Sequence, residues 1–217
     1  ELQRALLNAA MQGDTPESRS AVILKALDSS RDRLKLIPLL AGTGGDEALK
    51  TVAAEFENGD AITRDVCFDA LSHWTDHSAS KALLNITASG NKTFGRPAFD
   101  AYMRMIAAAP LTRESKLLMI KDIAPFAAAP DARAGMVAFA ASLAVRQAEF
   151  FVAPYLSDPD EEVRNAALEA LESLKLPEDE IFERIFNGRD LTGWQGLVGN
   201  PLTRAKMKPK ELAAKQK

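Results

Sequence analysis

The feature that most restricts how this chain can fold is a spacing. Apolar residues return at i, i+3, i+4 and i+7 in segments of about 12 to 16 residues, separated by short breaks. Such a stretch gathers its apolar side chains on one face only when it is helical, and that face must then be covered by another element. The spacing predicts helices over residues 1 to 12, 16 to 28, 31 to 42, 45 to 58, 60 to 74, 77 to 89, 94 to 108, 112 to 128, 130 to 144, 147 to 157, 159 to 174 and 178 to 186. Aromatics are only 6% of the chain while alanine recurs in runs such as Ala107 to Ala109 and Ala127 to Ala129. That composition lets helices approach closely and disfavours a β-rich body.

The punctuation agrees with this division. In Asp14-Thr15-Pro16-Glu17 and in Ser157-Asp158-Pro159-Asp160-Glu161 a capping oxygen precedes a proline, read as the first helical residue, with acids in the first turn. Gly13, Gly59 and Gly90 stand where helix ends call for a left-handed residue. The breaks are too short for crossovers, so successive helices are expected to be antiparallel neighbours.

A second, longer period overlies the first. Arg64 to Leu71, Arg96 to Met103 and Arg164 to Leu171 share a leading arginine, small residues and a large apolar eighth residue, and Arg133 to Ala140 is a weaker copy. The arginines are spaced as helix pairs would be. In Asp158-Pro159-Asp160-Glu161-Glu162-Val163-Arg164-Asn165-Ala166-Ala167-Leu168-Glu169-Ala170-Leu171 the string resembles the second helix of a HEAT repeat, and the likeness extends with declining quality over residues 16 to 175. Pairs of helices at such a period bury their apolar faces only by stacking on their neighbours. The expected fold is therefore all-α: a right-handed α-α superhelix, a HEAT-like solenoid over residues 1–184, followed by an irregular C-terminal tail over 185–217. Its concave face would be a surface for a protein partner or for a further domain of the same protein.

Charge and cysteine content narrow the functional classes. Residues 181–217 hold Arg184, Arg189, Arg204, Lys206, Lys208, Lys210, Lys215 and Lys217 against Glu183, Asp190 and Glu211, a net +5, which leaves residues 1–180 at −8. An acidic body argues against a nucleic-acid groove, since phosphate binding needs clustered cations. It also permits the basic tail to be attracted to the body. The single Cys67 excludes an internal disulfide and a four-cysteine zinc site. No run reaches the roughly 18 apolar residues of a membrane span. Because the sequence opens at Glu1 without a charged-then-apolar leader, any targeting segment is expected to have been removed.

Several stretches invite a chemical reading. His73-Trp74-Thr75-Asp76-His77 approaches an inverted zinc-protease pattern, but that pattern needs an unbroken helix and a further ligand, and Thr75-Asp76 reads as a cap between two helices. Gly42-Thr43-Gly44-Gly45-Asp46 lacks the lysine and the preceding strand of a phosphate loop and reads as a turn with Asp46 as cap. Asp158 to Glu162 lacks the central glycine of a calcium loop and reads as a helix N-terminus. Cys67 lies among Val66, Ala70 and Leu71 with no base beside it and reads as buried filler. Asn85-Ile86-Thr87 and Asn91-Lys92-Thr93 match the glycosylation acceptor triplet, the first inside an expected helix. No catalytic, cofactor-binding or metal-ligating residue is assigned.

The tail breaks with the rest. Phe186-Asn187-Gly188-Arg189-Asp190-Leu191-Thr192-Gly193-Trp194 resembles the opening motif of the 3-keto-disaccharide hydrolase domain family, in which such a string enters a β-sandwich. Gly196 to Pro201 and Lys208 to Leu212 resemble an insertion that follows the motif in some members. The resemblance covers only the stretch from Ile185 to Lys217, and the many strands that carry the family's sugar site do not follow here. It implies a truncated start of a carbohydrate-active hydrolase domain, with a sugar as that domain's substrate, cleavage of 3-keto-glycosides as its reaction and export to a periplasm or cell surface. Alternatively the stretch is a C-terminal cap on the last helix pair, with Trp194 as its cover. The expected function is an interaction module or scaffold within a larger hydrolase-like protein. The alternatives are a chain that is itself part of a sugar-hydrolase site and, third, a HEAT-like nucleic-acid-binding protein.

Overall fold

The computed structural model describes residues 2–30 and 32–174, and every regular element among them is helical. The α-helices are α1 (Leu2–Ala10), α2 (Pro16–Ser29), α3 (Arg33–Thr43), α4 (Asp46–Asn58), α5 (Ala61–Ser72), α6 (Ser80–Ala88), α7 (Gly95–Ala108), α8 (Arg113–Ile123), α9 (Pro130–Ser142), α10 (Arg146–Val152) and α11 (Glu161–Ser173). Short 3-10 turns stand at His77–Ala79, Ala124–Phe126 and Ala153–Ser157. The chain divides after Lys175. The helix expected over 178–186 and the motif from Phe186 to Trp194 lie outside the described residues.

Helix starts follow the chemistry of the residues before them. Thr15 caps α2 by accepting the Ser18 amide, and Ser18 Oγ in turn accepts from the Thr15 amide, a reciprocal capping box with Pro16 as first helical residue. Asp60 and Thr112 cap α5 and α8 by accepting the Thr63 and Ser115 amides. Two expected starts are corrected. Asp46 is the first residue of α4 rather than its cap, which is Gly45. At α11 the cap is Asp160, which accepts the Glu162 amide, and Pro159 precedes the helix. The shift has a cause in Asp158, which accepts the Asp160 amide and holds Arg133, and so cannot serve as the helix cap.

Two expected ends are also corrected. The α-helix does not continue to residue 128 or to residue 157. Pro125 and Pro154 have no amide to donate to the ladder, and each follows an alanine at which the backbone tightens into a 3-10 turn. Gly59 has an extended backbone, not a left-handed one. It is kept small by contact, because a Cβ there would stand 2.5 Å from Thr63 Cγ2 and 2.6 Å from the Glu55 carbonyl. Gly13 is likewise outside the left-handed set, and a Cβ there would meet Ser18 Oγ at 2.5 Å. Among the described residues the left-handed glycines are Gly44, Gly45 and Gly90.

Each helix packs on its neighbour in the chain, most extensively in the pairs α2 with α3, α4 with α5 and α6 with α7. A second set of contacts skips one helix: α3 lies against α5, α2 against α4 and α9 against α11. These contacts enclose one continuous core from Ala10 to Ala170, with Ile37, Leu40, Leu71, Leu83, Ile106, Ile120 and Val152 fully enclosed along it. Each such side chain contributes roughly 1.5–3 kcal/mol through burial. Phe56, Phe68 and Phe94 tie α4, α5 and the entry to α7 together, with ring centroids 5.0 to 6.5 Å apart.

The arginine period has a structural meaning. Arg64 Nη2 donates to the Glu57 carbonyl at 3.1 Å, Arg133 Nη1 to the Ala128 carbonyl at 2.7 Å, and Arg164 Nη1 to the Asp158 and Pro159 carbonyls at 2.8 and 2.9 Å. Arg19 and Arg33 do the same with the Gly13 and Leu27 carbonyls. In each case an arginine near the start of one helix reaches back to carbonyls that the preceding helix or turn leaves without a helical partner. Arg96 departs from this pattern and reaches forward.

Candidate functional site

The departure at Arg96 coincides with an opening in the packing. Where α9 meets α11 closely and α3 meets α5, the corresponding helices α7 and α9 approach each other at few points. A groove of about 470 Å³ lies between them, lined from α7 by Arg96, Phe99, Asp100, Met103, Arg104 and Ala107, and from α9 by Asp131, Ala132, Gly135, Met136 and Phe139. A second cavity of about 370 Å³ shares Arg96, Phe99 and Ala132 and opens toward Thr87, Gly90, Asn91 and Phe126. A third, also about 370 Å³, shares Arg104 and continues past Met105, Ala108 and Pro110 to Trp74, Asp76 and His77. Open space therefore follows α7 along its length.

The walls are held rigidly. In α7 the residues Ala98, Phe99, Ala101, Tyr102 and Ile106 form the buried stripe, and Tyr102 donates its hydroxyl to the Met119 carbonyl at 2.9 Å, locking α7 to α8. Burial and the nearby Asp122 carboxylate push the Tyr102 hydroxyl up to about 12, so it stays a donor. In α9 the buried stripe is Ala132, Ala134, Met136, Val137, Ala140 and Ala141. Small residues there leave the groove side shallow, and a Cβ built on Gly135 meets nothing within 4 Å.

One side chain spans the gap. Arg96 Nε donates to both Asp100 oxygens at 3.0 and 3.1 Å, while Nη1 and Nη2 donate to the two Asp131 oxygens at 3.0 and 2.7 Å. The paired hydrogen bonds from Arg96 hold the Asp131 carboxyl below the usual carboxylate range, and the same bonds raise Arg96. Arg133 repeats the forward reach on the next pair, donating from Nε and Nη2 to the Asp158 oxygens at 2.8 and 3.0 Å. Arg104, a little over two turns beyond Arg96 on α7, has neither hydrogen bond nor ion pair among the described residues.

The other stretches singled out in the sequence fall elsewhere. His73 ends α5 and places Nδ1 2.9 Å from the Asp69 carbonyl, while His77 opens the 3-10 turn after the break. Thr75-Asp76 is a turn between helices, as expected, with Asp76 accepting the Ser78 amide and Thr75 donating its amide to the Ala41 carbonyl at 3.0 Å. Of the stretch Gly42 to Asp46, expected as a turn, Gly42 and Thr43 end α3, Asp46 opens α4 and Gly44-Gly45 alone joins them; Gly44 lies against Thr75, so these two turns stack. Cys67 is fully buried, and burial together with the Glu55 charge pushes its thiol up to about 12. Asn85 lies within α6 with Thr87 buried and bonded to the Leu83 carbonyl, and Asn91 accepts the Thr93 and Phe94 amides in the turn before α7. Among the described residues no three of His, Cys, Asp and Glu gather as a metal would require, and no helix is long and apolar enough to cross a membrane.

The sequence reading passed over the groove. Its signals were Gly135 inside an apolar helical period and the aspartates Asp100 and Asp131 placed to redirect Arg96. A second opening was also passed over: Ala124-Pro125-Phe126 and Ala153-Pro154-Tyr155 repeat, and Ala124, Pro125, Pro154 and Tyr155 together with Lys121, Phe150 and Phe151 line an open cleft of about 470 Å³ in which Phe150 is 75% exposed. No protein-family model, curated protein or solved structure matches the chain.

Proposed function

We propose that residues 1–184 are a HEAT-like helical-repeat interaction module, part of a larger protein that resembles a 3-keto-disaccharide hydrolase. The observation that carries the module reading is the groove between α7 and α9: an apolar, preformed channel between two helices that stand apart although α3 with α5 and α9 with α11 pack closely. Contacts between helices two apart, and arginines recurring at the period of a helix pair, support a stacked superhelix. The hydrolase context rests on the string from Phe186 to Trp194, and the sugar substrate and its chemistry belong to that context rather than to the helical body.

Site-specific photocross-linking from position 135, within the full-length protein in its own cells, tests the reading. It predicts a discrete adduct with another protein or with a further domain of the same protein, and none from the exposed position 118 on α8. Turnover of a 3-keto-glycoside by residues 1–184 alone contradicts it.

A further inference from the structure

The groove has a direction, and the direction selects an occupant. From Arg96 to Ala107 it follows α7 for about 16 Å, the length of roughly three helical turns. Helices supply both long walls, and a channel of that kind accepts the side-chain ridge of a third helix. Met103 and Met136 give the floor adaptable surface, and the open space over Gly135 admits a large apolar side chain.

The two ends differ in charge. At the start of α7, one cation, Arg96, faces two carboxylates, Asp100 and Asp131, and its hydrogen bonds to them use all four oxygens. That end keeps an excess negative charge. Toward the end of α7 the groove presents Arg104, which has no hydrogen bond or ion pair among the described residues, and no carboxylate lines the groove at that end. A helix carries partial positive charge at its N-terminus and partial negative charge at its C-terminus.

We propose that the groove between α7 and α9 receives an amphipathic helix of a protein partner, aligned parallel to α7, with basic residues in its first turn beside Asp100 and Asp131 and an acidic residue in its last turn beside Arg104. The proposal rests on the interaction-module reading and specifies the partner's chemistry. The reverse alignment sets the partial negative charge of the helix C-terminus against the two aspartates and the partial positive charge of its N-terminus against Arg104.

Two stapled helical peptides of equal composition, about 14 residues long to cover the groove, test it by fluorescence anisotropy against the full chain. Both place leucines on one face. One has lysines in the first turn and glutamates in the last, and the other has them exchanged. The expected result is about tenfold tighter binding of the lysine-first peptide, from favourable charge at both ends. Arg104→Glu is expected to remove that preference, and Gly135→Leu, which fills open space, to weaken both peptides while the circular dichroism and melting temperature stay as in the parent. Equal affinity of the two peptides, unaltered by Arg104→Glu, overturns the proposal, as does concentration-dependent self-association that buries the groove. If neither peptide binds while the position 135 adduct persists, the helix assignment fails and the interaction module stands. Loss of the adduct as well defeats both.

Discussion

Asp158 is the most enclosed acid in an ion pair among the described residues, with its side chain 9% exposed and that of Arg133 19% exposed. Hydrogen bonds from Arg133 and then from the Asp160 amide hold its carboxyl below the ordinary 3.8, and Asp131 is lowered first by Arg96. A carboxylate lowered in the folded state contributes stability that is complete above its unfolded value and fades as pH falls through the folded one. Urea midpoints are therefore expected to drop as pH falls below about 4, and Asp158→Asn with Asp131→Asn is expected to flatten that drop. An equally steep drop in the double variant contradicts the assignment. Cys67 gives a second test: buried and held as a thiol, it should resist alkylation until the protein unfolds, and rapid labelling of the native chain would contradict its placement. Its burial was readable from Val66, Ala70 and Leu71 around it. The bonds of Arg133 were not, because Asp158 is 25 residues away and only the packing of α9 on α11 brings them together.

Among the elements, those with clear periods and caps matched expectation, and those ending at Pro125 and Pro154 ran long because the period continues past the last α-helical hydrogen bond. Thr112 caps α8 without a competing role, so Thr112→Ala is expected to cost about 1 kcal/mol, read as a shift in the denaturation midpoint. Ile120, in the middle of the same helix, is fully buried, and Ile120→Ala is expected to cost about 2–5 kcal/mol. A cap cost as large as the core cost would mean that α8 is held by its end rather than by its face. The turn from α3 to α4 makes a different demand. Gly44 is left-handed and a Cβ would also press on Thr75 Cγ2 at 3.0 Å, so Gly44→Val should destabilise far more than Gly135→Val, where space is open. Comparable losses at the two positions would refute that contrast.

Over the described residues, contacts between neighbouring helices recur, while contacts between helices two apart are close for α3 with α5 and α9 with α11 and weak between α7 and α9, where Arg96 bridges instead of side-chain packing. The all-helical body was legible in the apolar spacing. The groove was not, since it depends on how far apart two helices stand once their buried stripes have been satisfied against other partners. Alanines and Gly135 on α9 are consistent equally with tight packing and with an unfilled channel, and the sequence does not distinguish the two. On the proposal made above, this channel is open because something else occupies it in function. The most direct measurement is cross-linking from position 135 in the full-length protein carrying Arg104→Glu. The adduct formed with Arg104 in place is expected to be strongly reduced while the melting temperature is unchanged. An adduct of undiminished yield would contradict the proposal.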